Sequence, residues 1–276
     1  NSGNYQILNS AGDVIGEHVA ASVTIADWAG GYVAEPIDAG DIVISAANSV
    51  DFFAGTDSTT VSVVGGSGAV SSANIANTAK VDIGNNVGLS AFNIDIDATN
   101  TAKQIAIPYN TDFETSIYAA GGGAANGSAG LSRQHINNLT AEIELGTDAG
   151  LRITDLAYLS DAIAGISLDA GTEFYINDHA VMEVGGALQG AGVEADAEVT
   201  THSTITLNDG VDILNPVGNI GLGTNAIGSA VAEANVSVWA AAGVAGGVSD
   251  VNLDIYNSIA VGDNTVINAA GTIGIY

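Results

Sequence analysis

Cysteine is absent from the 276 residues of this chain, and only 4 of its residues are Lys or Arg. Without cysteine the chain forms neither disulfides nor thiolate metal sites, so its stability must come from hydrogen-bonded ladders and packing. The 4 basic residues stand against 31 Asp and Glu, which gives a formal net charge of −27. Such a surface repels nucleic acid, anionic lipid and acidic polysaccharides, and it favours cations as partners.

Bulky and helix-favouring side chains are also scarce. Aromatic residues make up 5% of the chain, yet the hydrophobic class reaches 47% because Ala, Val and Ile are abundant. β-Branched residues favour strands, and the 36 Gly, together with many Asn, Asp, Ser and Thr, supply turns. The composition therefore predicts an all-β protein. Disorder is the other interpretation of a Gly-rich acidic chain, but regularly spaced β-branched residues argue against it.

Long apolar runs are missing as well. The richest stretch, residues 236–248, is interrupted by Ser237 and by glycines, so no segment is long enough to cross a bilayer as an apolar helix. Asn1 to Ile7 has neither a basic start nor an apolar run and is not a signal peptide. We expect a mature or internal piece of an exported protein with no transmembrane segment.

Internal repetition is the main positive signal. The pattern is an alternating apolar strand, a turn of Gly, Asn and Asp, one or two apolar residues, a second turn and another alternating strand. Its clearest copies are residues 81–99, 205–223 and 259–276, and looser copies begin near Val23, Ile143 and Tyr175. The aliphatic positions that match between the three clear copies are Val81, Ile83, Leu89, Ile94 and Ile96; Ile205, Leu207, Ile213, Ile220 and Leu222; and Ile259, Val261, Ile267, Ile273 and Ile275.

These alternating runs predict how the chain folds. Each run buries one aliphatic row, and the turns are too short for a crossover helix, so the strands must bend and coil on themselves. We expect a parallel β-solenoid over residues 1–276, with roughly 20 to 30 residues per coil. An antiparallel sandwich or barrel is the rival fold. Against it, equivalent turns share sequence, and few Asn-Gly or Asp-Gly pairs separate the strands.

Three stretches break the repeat and are predicted to loop out of the solenoid. They are residues 30–40, 108–133 and 185–201, which are rich in Gly or contain Pro. Insertions on solenoids usually cluster on one face, where they contact partners.

The repeats resemble those of filamentous haemagglutinin-like exoproteins, and in particular of leukotoxin-like filamentous adhesins of Gram-negative bacteria. The resemblance rests on the aliphatic-Gly-Asn/Asp-Asn step at 83–86 and 261–264, and on the strand at 271–275. It implies a long right-handed β-helix, export by two-partner secretion through an outer-membrane transporter, an extracellular location, and a role in attachment, aggregation or filament formation. The family pattern carries no catalytic residue onto this sequence.

Carboxylates are the candidate site residues. Carboxylate and amide oxygens at turns and strand ends are ligands that Ca²⁺ prefers, which makes Asp95, Asp97, Asp209 and Asp263 candidate calcium ligands, although no consensus calcium loop is present. Paired carboxylates also serve polysaccharide-degrading β-helix enzymes. We interpret Asp95 and Asp97 instead as the solvated side of a strand. The sequence predicts no catalytic residue and no cofactor besides possible Ca²⁺.

Three functions remain open at this point. The first is a structural or adhesive protein of the bacterial surface that self-associates into filaments, with divalent cations as partners. The second is a module that binds cell-surface glycans or neighbouring cells through the loop at 108–133. Trp28, Trp239 and Tyr175 are among the aromatic residues that could stack on sugars, although packing is their commoner role. The third, a polysaccharide-degrading enzyme, is disfavoured because basic groups are so few.

Overall fold

The computed structural model describes residues 3–8, 14–20, 33–38, 41–105, 116–154 and 165–276; in the first three segments it gives the course of the backbone. Most of these residues lie in β-strands and none of them lies in a helix, which confirms the all-β prediction. The alternation of apolar and polar residues explains why these segments form strands. Along Ile94–Gln104, for example, buried residues alternate with residues that face outward.

The described residues form fifteen strands. They are β1 (Gly3–Leu8), β2 (Val14–Ala20), β3 (Val33–Asp38), β4 (Ile42–Phe52), β5 (Thr56–Val61), β6 (Val64–Ile83), β7 (Gly88–Ala91), β8 (Ile94–Gln104), β9 (Ile117–Leu145), β10 (Gly150–Ile153), β11 (Gly165–Leu207), β12 (Asp212–Asn215), β13 (Asn219–Val261), β14 (Val266–Ala269) and β15 (Ile273–Ile275).

From β4 onward every pairing is parallel, and the sheets curl. One sheet has the order β15-β13-β11-β8-β4, with β9 on β11 and both β5 and β6 on β9, and a second has the order β14-β12-β10-β7. The chain therefore passes along one path repeatedly. We call the passes level 1 (42–91), level 2 (94–153), level 3 (165–215) and level 4 (219–269).

The register stacks the aliphatic rows that the sequence predicted. Ile94 pairs with Ile166, Ile166 with Ile220 and Ile220 with Ile273. Likewise Val81, Ile143, Ile205 and Ile259 form one column through four levels. The looser copy near Ile143 is thus confirmed as an equivalent of the three clear copies.

The expected repeat length was wrong. Ile166 pairs with Ile220, so partners in levels 3 and 4 lie 54 residues apart rather than 20 to 30. The reason is that β11 reverses direction, so that its two halves face each other across the interior. Thr172 Oγ1 in the first half lies 3.3 Å from Ser203 Oγ in the second half. Gly186 marks the reversal with φ +154°, and a Cβ there would overlap the carbonyl of Gly123, its partner in level 2.

The loop predictions also need correction. Residues 185–201 lie inside β11, and residues 117–133 lie inside β9; their glycines and small residues permit the reversal within a continuous ladder. Residues 108–115 lie outside the described residues. Within 30–40, residues 33–38 form β3. The copy expected near Tyr175 was wrong, because Tyr175 lies in the first half of β11, before the reversal at Gly186. Val23, where another copy was expected to begin, lies outside the described residues.

The first three strands depart from the parallel pattern. They form an antiparallel sheet with the order β2-β1-β3. The prediction that one parallel arrangement spans residues 1–276 was therefore wrong for this segment, because both pairings of β1 are antiparallel, which a short connection such as that between β1 and β2 permits.

The interior holds three apolar clusters in a row. The largest lies at the corner formed with β7, β10 and β12 and includes Ile96, Leu151 and Ile213. The second lies around Phe174 and the third around Met182. Buried polar side chains separate the clusters. Between the first and second are Asn100, Thr172, Thr201 and Ser203, and between the second and third are Gln104, Ser132, Gln134 and Asp178.

Candidate functional site

A corner turn joins each long strand to the short strand that follows it. It recurs at every level, between β6 and β7, β9 and β10, β11 and β12, and β13 and β14. Its third residue has a left-handed backbone in each case, at Asn86, Asp148, Gly210 and Asn264, with φ between 57° and 75°. Gly, Asn and Asp tolerate this conformation best, which accounts for the recurring GNN, NDG and GDN signatures. The turn signal in the sequence therefore identified a real structural column.

Two of the candidate calcium ligands belong to this column. The backbone N–H of Asp263 donates to Asp209 Oδ1 at 2.8 Å, and the N–H of Gly210 donates to the carbonyl of Asp263 at 2.8 Å. Thr147 N–H donates to Asn85 Oδ1 in the same way between levels 1 and 2. These side chains thus extend the ladder through the turn, with Asp209 serving as a hydrogen-bond acceptor for the next level.

The other two candidates lie on the outer face of β8. Asp97 pairs with Asp169 of level 3, and Asp95 pairs with Ser167. Partial withdrawal from water raises the pKa of the Asp95 carboxyl, and the charges of Asp97 and Asp169 raise it further. Asp95 and Asp97 are therefore separate in the fold from Asp209 and Asp263. Among the described residues, no group of three or more His, Cys, Asp or Glu is arranged to hold a metal ion.

Three of the four Lys and Arg residues, Lys80, Lys103 and Arg152, form ion pairs between levels. Lys80 of level 1 lies 2.6 Å from Glu144 and 3.3 Å from Glu142 of level 2. Its hydrogen bond is the main cause of the lowered pKa of Glu144, and Asn208 of level 3 also donates to that carboxylate. Arg152 approaches Asp212 of level 3 at 3.7 Å. These pairs tie neighbouring levels together on the outer face.

A buried carboxyl lies in the interior, and the sequence reasoning missed it. Asp178 is fully buried between the second and third apolar clusters. Its carboxylate accepts a hydrogen bond from Ser132 Oγ at 2.5 Å and another from the N–H of Asp196 at 3.0 Å. Burial is the main cause of its raised pKa. The alternation along the strand could have revealed its inward position, because Asp178 lies on the same face as Phe174 and Ile176.

Level 4 has an open edge. On one side β13 pairs with β11 throughout, but on the other side it pairs with β15 only through Ile220–Leu222. Within the described residues, the remainder of β13 therefore has one unpaired ladder edge. Its inward side chains are exposed as well: Val199 of level 3 is fully buried, whereas Leu253, its partner in level 4, is 45% exposed. Such an edge is a template for another strand.

No family model, curated protein or solved structure matches the chain. The described residues also include no helix that is long and apolar enough to cross a membrane.

Level 1 has the complementary edge. Among the described residues, β4 pairs only with β8, and both β5 and β6 pair only with β9. Ile42 and Ile44 of β4 are half-buried and pack against the first apolar cluster. The two ends of the stack thus offer parallel edges whose side-chain columns are the same, since Ile42 belongs to the column that ends at Ile273.

Proposed function

We propose that this chain is a segment of a right-handed parallel β-solenoid that serves as a structural and adhesive component of a bacterial surface, with copies joined end to end in a filament. Its role is structural rather than catalytic, and its location extracellular. Support comes from the four stacked levels with parallel pairing, and from the resemblance of the corner repeats to those of filamentous haemagglutinin-like exoproteins. That resemblance is also the source of the proposed handedness and location.

The open edge of level 4 is the observation that carries the proposal. A strand added to β13 would meet unpaired backbone groups and a row that includes Val251, Leu253 and Ile255, all of them exposed. Level 1 of a second copy fits this edge, because its columns continue those of level 4 in the same register. Apolar burial contributes about 25 cal/mol per Å² of area removed from water, so a full level supplies a substantial driving force.

Charge opposes this contact. Residues 219–276 contain Glu233, Asp250, Asp254 and Asp263 but no Lys or Arg. Level 1 adds Asp51, Asp57 and Asp82 against the single Lys80, so the two ends repel each other. Salt screens such repulsion over about 8 Å at physiological ionic strength, and divalent cations screen it more strongly. Association is therefore expected to rise with salt and with Ca²⁺ or Mg²⁺, which need no dedicated site to act in this way.

Sedimentation velocity and negative-stain microscopy test the proposal across a series of NaCl and CaCl₂ concentrations. We expect end-to-end particles that lengthen with salt. Leu253→Lys should weaken association at least about tenfold, which corresponds to about 1.4 kcal/mol. Asn252→Lys adds the same charge to the outer face of the same strand and should leave association unchanged or strengthened. Monomers at all salt concentrations, or equal effects of the two lysines, would contradict the proposal.

A further inference from the structure

A groove lies on the outer face of the stack and reaches β13 of level 4, at a position where the other edge of that strand is open. It has a volume of about 470 Å³ and is lined by Lys103, Glu173, Phe174, Tyr175, Ile227, Gly228 and Ser229. The residues come from three successive levels, because Lys103 pairs with Tyr175 and Tyr175 with Ser229. Small-molecule sites usually occupy about 300 to 1,000 Å³, so the groove is of suitable size for a small ligand.

The floor and wall of the groove are apolar and exposed. Tyr175 is 44% exposed and Ile227 is 64% exposed, although both are large side chains. Their neighbours Gly228 and Ser229 in level 4 are small, so the tyrosine ring is not covered by the next level. An aromatic ring in such a position offers a flat apolar surface with a hydroxyl at its tip.

Two charged side chains border this surface. Lys103 Nζ lies 3.0 Å from Glu173 Oε1, and both side chains are about half exposed. The ion pair holds an ammonium donor and a carboxylate acceptor beside the tyrosine ring. A ligand that fits has an apolar face for the ring and several hydroxyls that donate and accept hydrogen bonds at its edge. Sugars have both features, since C–H groups cover the faces of the pyranose ring and hydroxyls project from its rim.

We propose that this groove binds a neutral saccharide, with the sugar ring stacked on Tyr175 and its hydroxyls bonded to Lys103 and Glu173. Acidic saccharides are excluded because the chain carries a net charge of −27. The groove is complete within one copy, so binding does not require the association proposed above, although a second copy stacked on β13 would place a strand beside residues 227–229. It also differs in place from the expected glycan-binding loop at 108–133, whose described part lies in β9.

Isothermal titration calorimetry and saturation-transfer NMR with cellobiose, lactose and diacetylchitobiose test this inference, with sialyllactose as the acidic comparison. We expect at least one neutral disaccharide to bind, with the C–H protons of its sugar ring receiving saturation from the protein. Tyr175→Ala should weaken that binding about tenfold or more, because aromatic contact is lost. Glu173→Gln, which removes the ion pair but keeps a hydrogen-bonding group, should weaken it by a smaller factor.

Tyr256→Ala is the matched control. Tyr256 is also exposed, but its ring stacks on His202 with centroids 4.9 Å apart, outside the groove. Its replacement should leave saccharide binding unchanged, and circular dichroism should show all three variants folded. Absence of binding by all three neutral disaccharides, equal losses for the two tyrosine variants, or sialyllactose binding as tight as lactose would each overturn the inference. None of these results bears on filament formation, which is measured without sugar.

Discussion

Levels 3 and 4 contain the same columns of side chains but differ in how far those columns are buried. Val199 of level 3 is fully buried, whereas Leu253, its partner in level 4, is 45% exposed. The isoleucine column shows the same contrast at its end, since Ile166 is 2% exposed and Ile273, in β15 just beyond level 4, is 45% exposed. All four residues have the strand alternation that predicts an inward position. Burial in this architecture is therefore supplied by the neighbouring levels, and a level with one neighbour keeps only part of it.

Shortening one side chain of the isoleucine column at two positions along the stack tests whether neighbouring levels supply its burial. Ile166→Ala should lower the free energy of unfolding by about 2 to 5 kcal/mol, because it leaves a cavity in a packed interior. Ile273→Ala removes the same atoms at the open end and should cost less than about 1 kcal/mol. Urea unfolding followed by circular dichroism measures both. Equal losses would mean that β15, at the end of the stack, is as well covered as level 3.

Levels 3 and 4 also differ in buried charge, because the partner of the buried Asp178 of level 3 is Ala232 in level 4. The pKa of Asp178 is raised in the folded protein, so folding favours its protonated form. Its contribution to stability is therefore greatest below the unfolded pKa, near 3.9, and is lost as pH rises through the higher folded pKa. Asp178→Asn retains the acceptor for the N–H of Asp196 and can donate to Ser132 through its amide.

We expect Asp178→Asn to gain stability relative to the parent chain as pH increases from 4 to 8, by an amount on the order of 1 to 3 kcal/mol, typical of a buried polar group. Thermal unfolding over this pH range provides the measurement. Asp51→Asn is a suitable control, because Asp51 is exposed on β4 of level 1, two levels away from Asp178. A constant difference between Asp178→Asn and the parent chain at all pH values would show that Asp178 stays ionised inside the protein.

The sequence was most informative where local chemistry determines the structure. Aliphatic alternation predicted the columns through Val81 and Ile94, and the Gly, Asn and Asp triplets predicted the corners, because both signals act within a few residues. The reversal at Gly123 and Gly186 was misread as a loop, since a bend inside a stacked ladder has the same composition as an insertion. Repeat length depends on where that reversal lies, so it could not be predicted from the corner alone.

The candidate sites were harder to predict for a related reason. Asp178 looked like one more polar residue in an alternating strand, and only its parity relative to Phe174 distinguishes it from an outward aspartate. Predicting the groove at Tyr175 requires the register between levels. Its neighbours Lys103 and Ser229 are 72 and 54 residues away from Tyr175 in the sequence, respectively. Sequence reading supplies neither register, and the same holds for the open edge of β13.

The smallest effect is expected from the Lys and Arg ion pairs that connect the lower levels, since level 4 contains neither of these residues. Lys80 contacts Glu142 and Glu144 on the outer face, where water and salt screen the attraction. Lys80→Gln should therefore lower the free energy of unfolding by about 0.5 to 1 kcal/mol at low salt, with the difference vanishing near 1 M NaCl. Urea unfolding at the two salt concentrations measures this, and Lys103→Gln, in a single exposed pair with Glu173, should cost less. If Lys80→Gln costs several kcal/mol and salt does not reduce the loss, then charge bridging rather than apolar stacking joins level 1 to level 2, and the contrast between inner and outer levels would have to be explained by charge.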